Sequence, residues 1–466
     1  MDHSFLFDLS LDPSRISTSE SALDGHSTDW GTPTSEGVRP DVVVWPTSTE
    51  EVAEVLAAAN DREIPVTPYA AGTSLEGNPV PVHGGISLDL TRMNEVLDVR
   101  PDDLQIDVQP GLLGSEIDDA AAPHGLFFPP LPSSGKISTI GGMLANDASG
   151  MGTVRYGEVR DWVLALEVVL ADGRVVRTGS RAAKTSSGYN LTELFVGSEG
   201  TLGVITEATL ELAGIPEQIW GGRASFESLG DASAAISDAI QSGIDVAKIE
   251  LIDTLSAQIV NAHLGTDLPE QPMVFLEFHA NHGVEREVEF CRSIFESHGV
   301  ERFEVGESGP EMAALWEARE KLAEALEPFR EEFVPLAPGD VTVPISEYAP
   351  LVEYVSELAT AYDLLIPCFG HAGDGNVHYS ILVDPNDEEH VERGTNANDA
   401  IVARAIDVGG TSTGEHGIGL GKQGYLLDEH GGEGVELMYE IKQTLDPNGT
   451  LNPGKIFKTD ATRRSC

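Results

Sequence analysis

Positive charge is what this chain has least of. Lys and Arg together number 28 against 77 Asp and Glu, a formal net charge of −49. The acids are spread along the whole length rather than gathered in a tail, so they belong to the surface in general. Such a surface repels nucleic acid and anionic lipid and excludes a nucleic-acid partner. It suits a very salty cytosol, where the screening length falls to about 3 Å at 1 M salt and self-repulsion is muted; a halophilic, haloarchaeal source is the expectation. Cysteine is almost missing too. Cys291, Cys368 and Cys466 are far apart in sequence, which excludes a disulfide framework and an iron–sulfur motif. Long apolar runs are also missing: no stretch approaches the ~20 residues of a membrane span, so no transmembrane segment is expected. The start, Met1 to Asp8, lacks a basic region followed by an apolar one. The expected location is cytoplasmic, at most peripheral to the inner face of the membrane.

What is present points to chemistry. With 466 residues the chain exceeds one core, and two or three domains are expected. Its 49 glycines imply many turns and close backbone approaches. The densest stretch is Cys368-Phe-Gly-His-Ala-Gly-Asp-Gly-Asn-Val-His-Tyr379. Its Gly373-Asp-Gly-Asn376 centre reads as a tight turn that brings His371 and His378 to one point. Further on, Thr413-Gly-Glu-His-Gly-Ile-Gly419 supplies Glu415 and His416 in a segment too rich in glycine for a helix interior. Two histidines and a glutamate suffice to hold a catalytic divalent metal with one position open. The ligand set suits zinc, and iron or manganese would also accept it. The bland alternative is a pair of histidines satisfying hydrogen bonds in a buried turn.

Taken in order, residues 1–36 read as a polar lead-in with one short helix. Asp41-Val-Val-Val-Trp-Pro46 reads as a buried strand, Ser48 as a helix cap, and Val52, Val55, Leu56 and Ala59 as a helical stripe. The loop Tyr69–Asn78 is a phosphate cradle or a plain surface loop, since its small residues leave backbone N–H groups available to an anion. Strands are expected at 86–90, 104–111, 163–170, 174–178 and 208–212, and a helix from Leu113 to about Ala122. Gly141-Gly142 opens a small-residue run where backbone could lie flat against a large ligand. From about residue 214 helices alternate with strands: helices at 229–242, 285–298 and 311–326, strands at 246–251, 273–279 and 340–344. A Gly-x-Gly-x-x-Gly match at Gly419–Gly424 follows no strand, so it is read as loop rather than a nicotinamide site.

Arg39-Pro-Asp, Pro46-Thr-Ser-Thr-Glu-Glu-Val, Gly72-Thr-Ser74, Gly141-Gly142, Gly197-Ser-Glu-Gly-Thr-Leu-Gly203, His371–His378 and Gly414-Glu-His-Gly417 together resemble the FAD flavoproteins of vanillyl-alcohol-oxidase type. Within them the chain is similar to the branch of D-lactate dehydrogenase, D-2-hydroxyglutarate dehydrogenase and the glycolate oxidase FAD subunit. The likeness runs from about residue 37 to Phe457. It implies an α+β chain: a two-subdomain FAD-binding domain of that type (37–213), an α+β cap domain with an antiparallel sheet and the metal motif (214–407), and a segment returning to the flavin domain (408–466).

The same resemblance implies the site. FAD would be wrapped by Pro68, Gly72, Thr73, Ser74, Asn78, Pro130, Thr139, Gly141, Gly142, Ala145, Ser149, Gly150, Thr153, Gly200, Val204, Ile205 and Asn452, with its pyrophosphate on N–H groups near Gly72, Thr73 and Ser74. Covalent members use a histidine in that loop; Ala70-Ala-Gly-Thr-Ser74 has none, so non-covalent FAD is expected. His371, His378 and Glu415 would hold the metal and His416 would act as base. Arg319 would grip the substrate carboxylate, its alternative being a solvated helix ion pair. Asn376 would contact substrate or flavin, or serve as a left-handed turn residue. Relatives specific for 2-hydroxyglutarate carry a hydroxyl and a lysine where this chain has Ala323 and Pro338, so a small D-2-hydroxy acid such as D-lactate or glycolate is expected. Electrons would pass to a separate acceptor: a quinone, a cytochrome, an electron-transfer flavoprotein or an iron–sulfur subunit. Competing readings are a 2-hydroxyglutarate enzyme and a non-catalytic flavin subunit; a homodimer is compatible with all of them.

Overall fold

Val42–Val44 is buried on every side, as a strand inside a parallel sheet must be, and it pairs in parallel with Ile86–Asp89. The computed structural model in which this is seen describes residues 3–32, 37–326, 329 and 332–458. The chain forms two units, each described by itself: 1–149, 158–215 and 415–466 make the first, and 150–157 with 216–414 the second.

In the first unit a four-stranded sheet runs in the order Ile16–Ser17, Val42–Val44, Ile86–Asp89, Val66–Tyr69. Ser48 caps the helix Thr49–Asn60, whose Val52, Val55, Leu56 and Ala59 are all buried, the stripe that its spacing predicts. The lead-in is more than one short helix. It carries Glu20–Gly25 but also Ile16–Ser17, which pairs antiparallel with Val42–Val44. At the far end Leu451 bridges in parallel to Val66. A second, five-stranded antiparallel sheet has the order Val96–Arg100, Gln105–Val108, Val204–Glu211, Val163–Val169, Val175–Gly179. The glycine pair expected to lie flat instead begins a helix, Ile140–Asn146, capped by Thr139. Its apolar Ile140, Met143 and Leu144 enter the core beneath the five-stranded sheet, and that burial outweighs the low helix propensity of glycine.

The second unit is built on a seven-stranded antiparallel sheet in the order Arg302–Glu307, Gln218–Ser225, Met273–Ala280, Lys248–Ile252, Cys368–His371, Asn376–Val383, Val334–Thr342. Leu229–Gln241 and Val284–Ser297 form helices close to the expected bounds, while 310–326 divides into Pro310–Glu320 and Leu322–Leu326. Two long helices, Ile345–Tyr362 and Glu388–Asp407, were not foreseen. In the second, acids and amides crowd the first three turns and hide the buried stripe of Ala397, Ile401 and Ala405. Among the described residues no helix is long and apolar enough to cross a membrane.

Candidate functional site

In the first unit, Pro68, Gly141, Ala145, Gly200, Val204 and Ile205 line a single cleft, together with Leu90 and Ser198. The cleft is narrow and its walls are mostly small or apolar side chains. Gly200 keeps φ at +67, and a Cβ there would stand 2.9 Å from the Pro68 ring, so the cleft wall requires glycine. Pro130 is buried in the segment before the turn at 133–136.

The loop Gly72–Asn78 is held from behind. Asp29 Oδ2 accepts from Ser74 Oγ and from Gly77 N, both at 2.7 Å. Thr73 Oγ1 lies 2.9 Å from Ser138 Oγ. Asn78 donates Nδ2 to Glu199 Oε2 at 2.7 Å, while its buried Oδ1 has no hydrogen-bond partner among the described residues. A buried acceptor of that kind fits a polar group of a bound cofactor.

Glu199 is the hub of this region. It also accepts from Ile418 N (2.7 Å) and Gly419 N (2.9 Å), and Asn452 Nδ2 donates to its carbonyl at 2.8 Å. Burial pushes its carboxyl up, against these donors. The Gly419–Gly424 match therefore presents backbone donors already taken by a carboxylate, and the next helix starts only at Leu426. Nearby, Ser149 Oγ donates to Glu415 Oε2 at 2.9 Å, and Asn146 Nδ2 donates to His416 O at 3.2 Å. His416 Nδ1 stands 3.9 Å from Glu76 Oε1. Gly150 and Thr153 lie in the second unit, where Gly150 N donates to Thr153 Oγ1 at 3.0 Å.

In the second unit the hairpin Cys368–His371 and Asn376–Val383 closes as its turn residues predict, and the two imidazoles meet with centroids 5.0 Å apart. Gly375, at φ +85, takes the left-handed position; Asn376 is already in the strand, so its role is not that of a turn residue. Its Nδ2 donates to Asp340 Oδ1 at 2.7 Å and Thr342 Oγ1 at 3.0 Å, and its buried Oδ1 has no hydrogen-bond partner among the described residues. His371 Nδ1 has a carboxylate at hydrogen-bond distance, Glu250 Oε1 at 2.7 Å, while Asp340 Oδ1 stands 3.8 Å from His378 Nδ1, beyond that distance. The His371 arrangement is typical of a histidine that gives the opposite nitrogen, Nε2, to a metal. Asp340 Oδ2 in turn accepts from Thr413 Oγ1 and Gly414 N, the residues just before Glu415.

Arg319 is not on a solvated helix face. It is 5 % exposed, donates Nη2 to Glu250 Oε2 at 2.6 Å and lies over the Phe369 ring. Its Nε has no hydrogen-bond partner among the described residues, which suits a two-pronged anion contact. Burial pushes the Glu250 carboxyl up, but the charges of His371 and Arg319 outweigh it and hold it below the ordinary value. Sequence reasoning missed Glu250 and Glu199. The signal for Glu250 was an acid within the apolar run Ile249–Ile252; for Glu199 there was none beyond its glycine neighbours.

Residues 40–179 match the family model for an FAD binding domain, and residues 215–456 match that of the C-terminal domain of FAD linked oxidases. Over 422 residues the chain is 39% identical to a mitochondrial D-lactate dehydrogenase (cytochrome) of Arabidopsis thaliana, covering 90% of this chain and 73% of that protein. It is 37% identical over 428 residues to glycolate oxidase subunit GlcD of Bacillus subtilis, covering 91% of this chain and 90% of that one. Among solved structures, p-cresol methylhydroxylase with substrate bound superposes with a TM-score of 0.75 at 18% identity, covering 96% and 95% of the two chains, a likeness of fold.

Proposed function

Since this chain belongs to the FAD-linked oxidases, as an oxidoreductase of the D-lactate dehydrogenase and glycolate oxidase type, we propose that it oxidises a small D-2-hydroxy acid, D-lactate first, to the 2-oxo acid. The observation that carries this reading is the pair of buried imidazoles, with His371 backed by the Glu250 carboxylate, in a chain with an FAD-binding domain.

Non-covalent FAD supplies the two-electron acceptor. The donor set of His371, His378 and Glu415 fits a divalent cation, zinc before iron or manganese, which would supply Lewis acidity toward the substrate hydroxyl. The remaining work belongs to side chains. Arg319 binds the carboxylate of the substrate through its planar fork, and Asn376 Oδ1 accepts a hydrogen bond from the substrate hydroxyl or from the flavin. His416 removes the hydroxyl proton, with the Glu76 carboxylate 3.9 Å from its Nδ1. Ala323 and Pro338 offer nothing to a second carboxylate, which favours lactate or glycolate over 2-hydroxyglutarate. A separate quinone, cytochrome, flavoprotein or iron–sulfur subunit would take up the electrons, since three scattered cysteines cannot ligate a cluster.

The test is a substrate panel with an artificial electron acceptor at high salt. D-lactate should bleach the yellow protein and L-lactate should not; faster bleaching by glycolate would move the assignment to the glycolate enzyme. No bleaching by any D- or achiral hydroxy acid would leave only a non-catalytic flavin subunit.

The charge of −49 carries a second expectation. Raising KCl from about 0.1 to about 3 M should raise the melting temperature by on the order of 10 °C, because screening removes self-repulsion within the folded state. A melting curve indifferent to salt would remove the halophilic reading.

A further inference from the structure

We propose that Glu250 is a positioning residue that fixes the metal-facing tautomer of His371 and the guanidinium of Arg319 at once. The proposal rests on the reading of His371 as a metal ligand. Glu250 sits in the strand Lys248–Ile252, directly opposite His371 in the register of the neighbouring strand, and is fully buried. Its two oxygens are divided: Oε1 contacts His371 Nδ1 at 2.7 Å, and Oε2 contacts Arg319 Nη2 at 2.6 Å.

An ionised carboxylate has no proton to give, so it accepts in both contacts. His371 must then carry its proton on Nδ1, which places the lone pair on Nε2. The same acceptor anchors one arm of Arg319, and its Nε remains without a hydrogen-bond partner among the described residues.

The fold explains why both contacts are possible. Trp316 and Arg319 are one turn apart on the helix Pro310–Glu320, and Lys248 and Glu250 are two apart on the strand, so each pair shares a face. Lys248 Nζ lies 5.1 Å from the Trp316 ring while Arg319 meets Glu250, and the helix is pinned over the strand at two points.

No neutral residue can replace this carboxylate. Glutamine has one accepting oxygen and one donating NH2. Turned toward His371, the NH2 needs Nδ1 as acceptor and drives the proton to Nε2, where it blocks the metal. Turned toward Arg319, it sets two donors against each other.

The FAD-loaded enzyme and its Glu250→Gln variant should be compared for zinc affinity by chelator competition. The variant is expected to keep its flavin, bind zinc about 10–100-fold more weakly and show a raised KM for D-lactate. Because removing one member of a buried ion pair can unfold a protein, Glu250→Leu/Arg319→Leu provides a second route with apolar packing in place of the pair. It should keep flavin and show the same loss of zinc affinity. A folded variant of either kind that binds zinc as tightly as the parent overturns the role of Glu250. Loss of flavin and fold from both would reduce Glu250 to a folding residue and also overturn it. If the parent itself takes up no zinc, manganese or iron(II), the metal reading fails first and the proposal with it.

Discussion

Glu415→Gln should lower kcat/KM for D-lactate by about 10³-fold or more and strip the divalent cation, while FAD stays bound. In the proposed ligand set the carboxylate would be the anionic member beside two imidazoles, and a carboxamide is a far poorer ligand for zinc. Lewis-acid assistance is worth several kcal/mol, and each 1.36 kcal/mol is tenfold in rate. The substitution should not loosen the loop. Ser149 Oγ donates to Glu415 Oε2, and an amide oxygen accepts that bond equally well. Downstream, Glu199 still holds Ile418 N and Gly419 N. Flavin absorbance and metal content measured on the same sample separate the two effects. Unchanged metal content would show that Glu415 is not a ligand.

His416→Ala should instead retain metal and flavin and lose about 10²–10⁴-fold in kcat, the usual contribution of a general base. Its main chain is fixed by Asn146, and Glu76 Oε1 faces Nδ1 at 3.9 Å, beyond hydrogen-bond distance. Added imidazole should restore part of the rate in the alanine variant, which a merely structural defect would not allow. A normal rate without His416 would place the base elsewhere.

Local patterns carried most of the fold. The stripe Val52, Val55, Leu56, Ala59 and the largely apolar run Met273–Phe278 are short-range signals, and both produced the expected elements. Patterns misjudged local conformation where burial overruled composition. Gly141-Gly142 reads as extended backbone, yet Ile140, Met143 and Leu144 around it have a core to enter and the segment is helical, with Gly141 still lining the cleft. Ile16–Ser17 is too short to announce itself and is a strand only because Val42–Val44 offers it an edge.

The candidate site divides along the same line. Residue type and spacing by themselves determined that His371 and His378 share a hairpin, because a glycine-rich turn can close only over a short distance. They also determined a run of small residues that lines one cleft of the first unit and a strongly acidic composition. What only the tertiary structure decided is which groups stand behind these residues. Glu250 reaches His371 and Arg319 from strands and helices far apart in the chain, and Glu199 reaches Ile418 and Gly419 in the same way. A buried carboxylate must find donors wherever the fold brings them, and no local pattern records that partner.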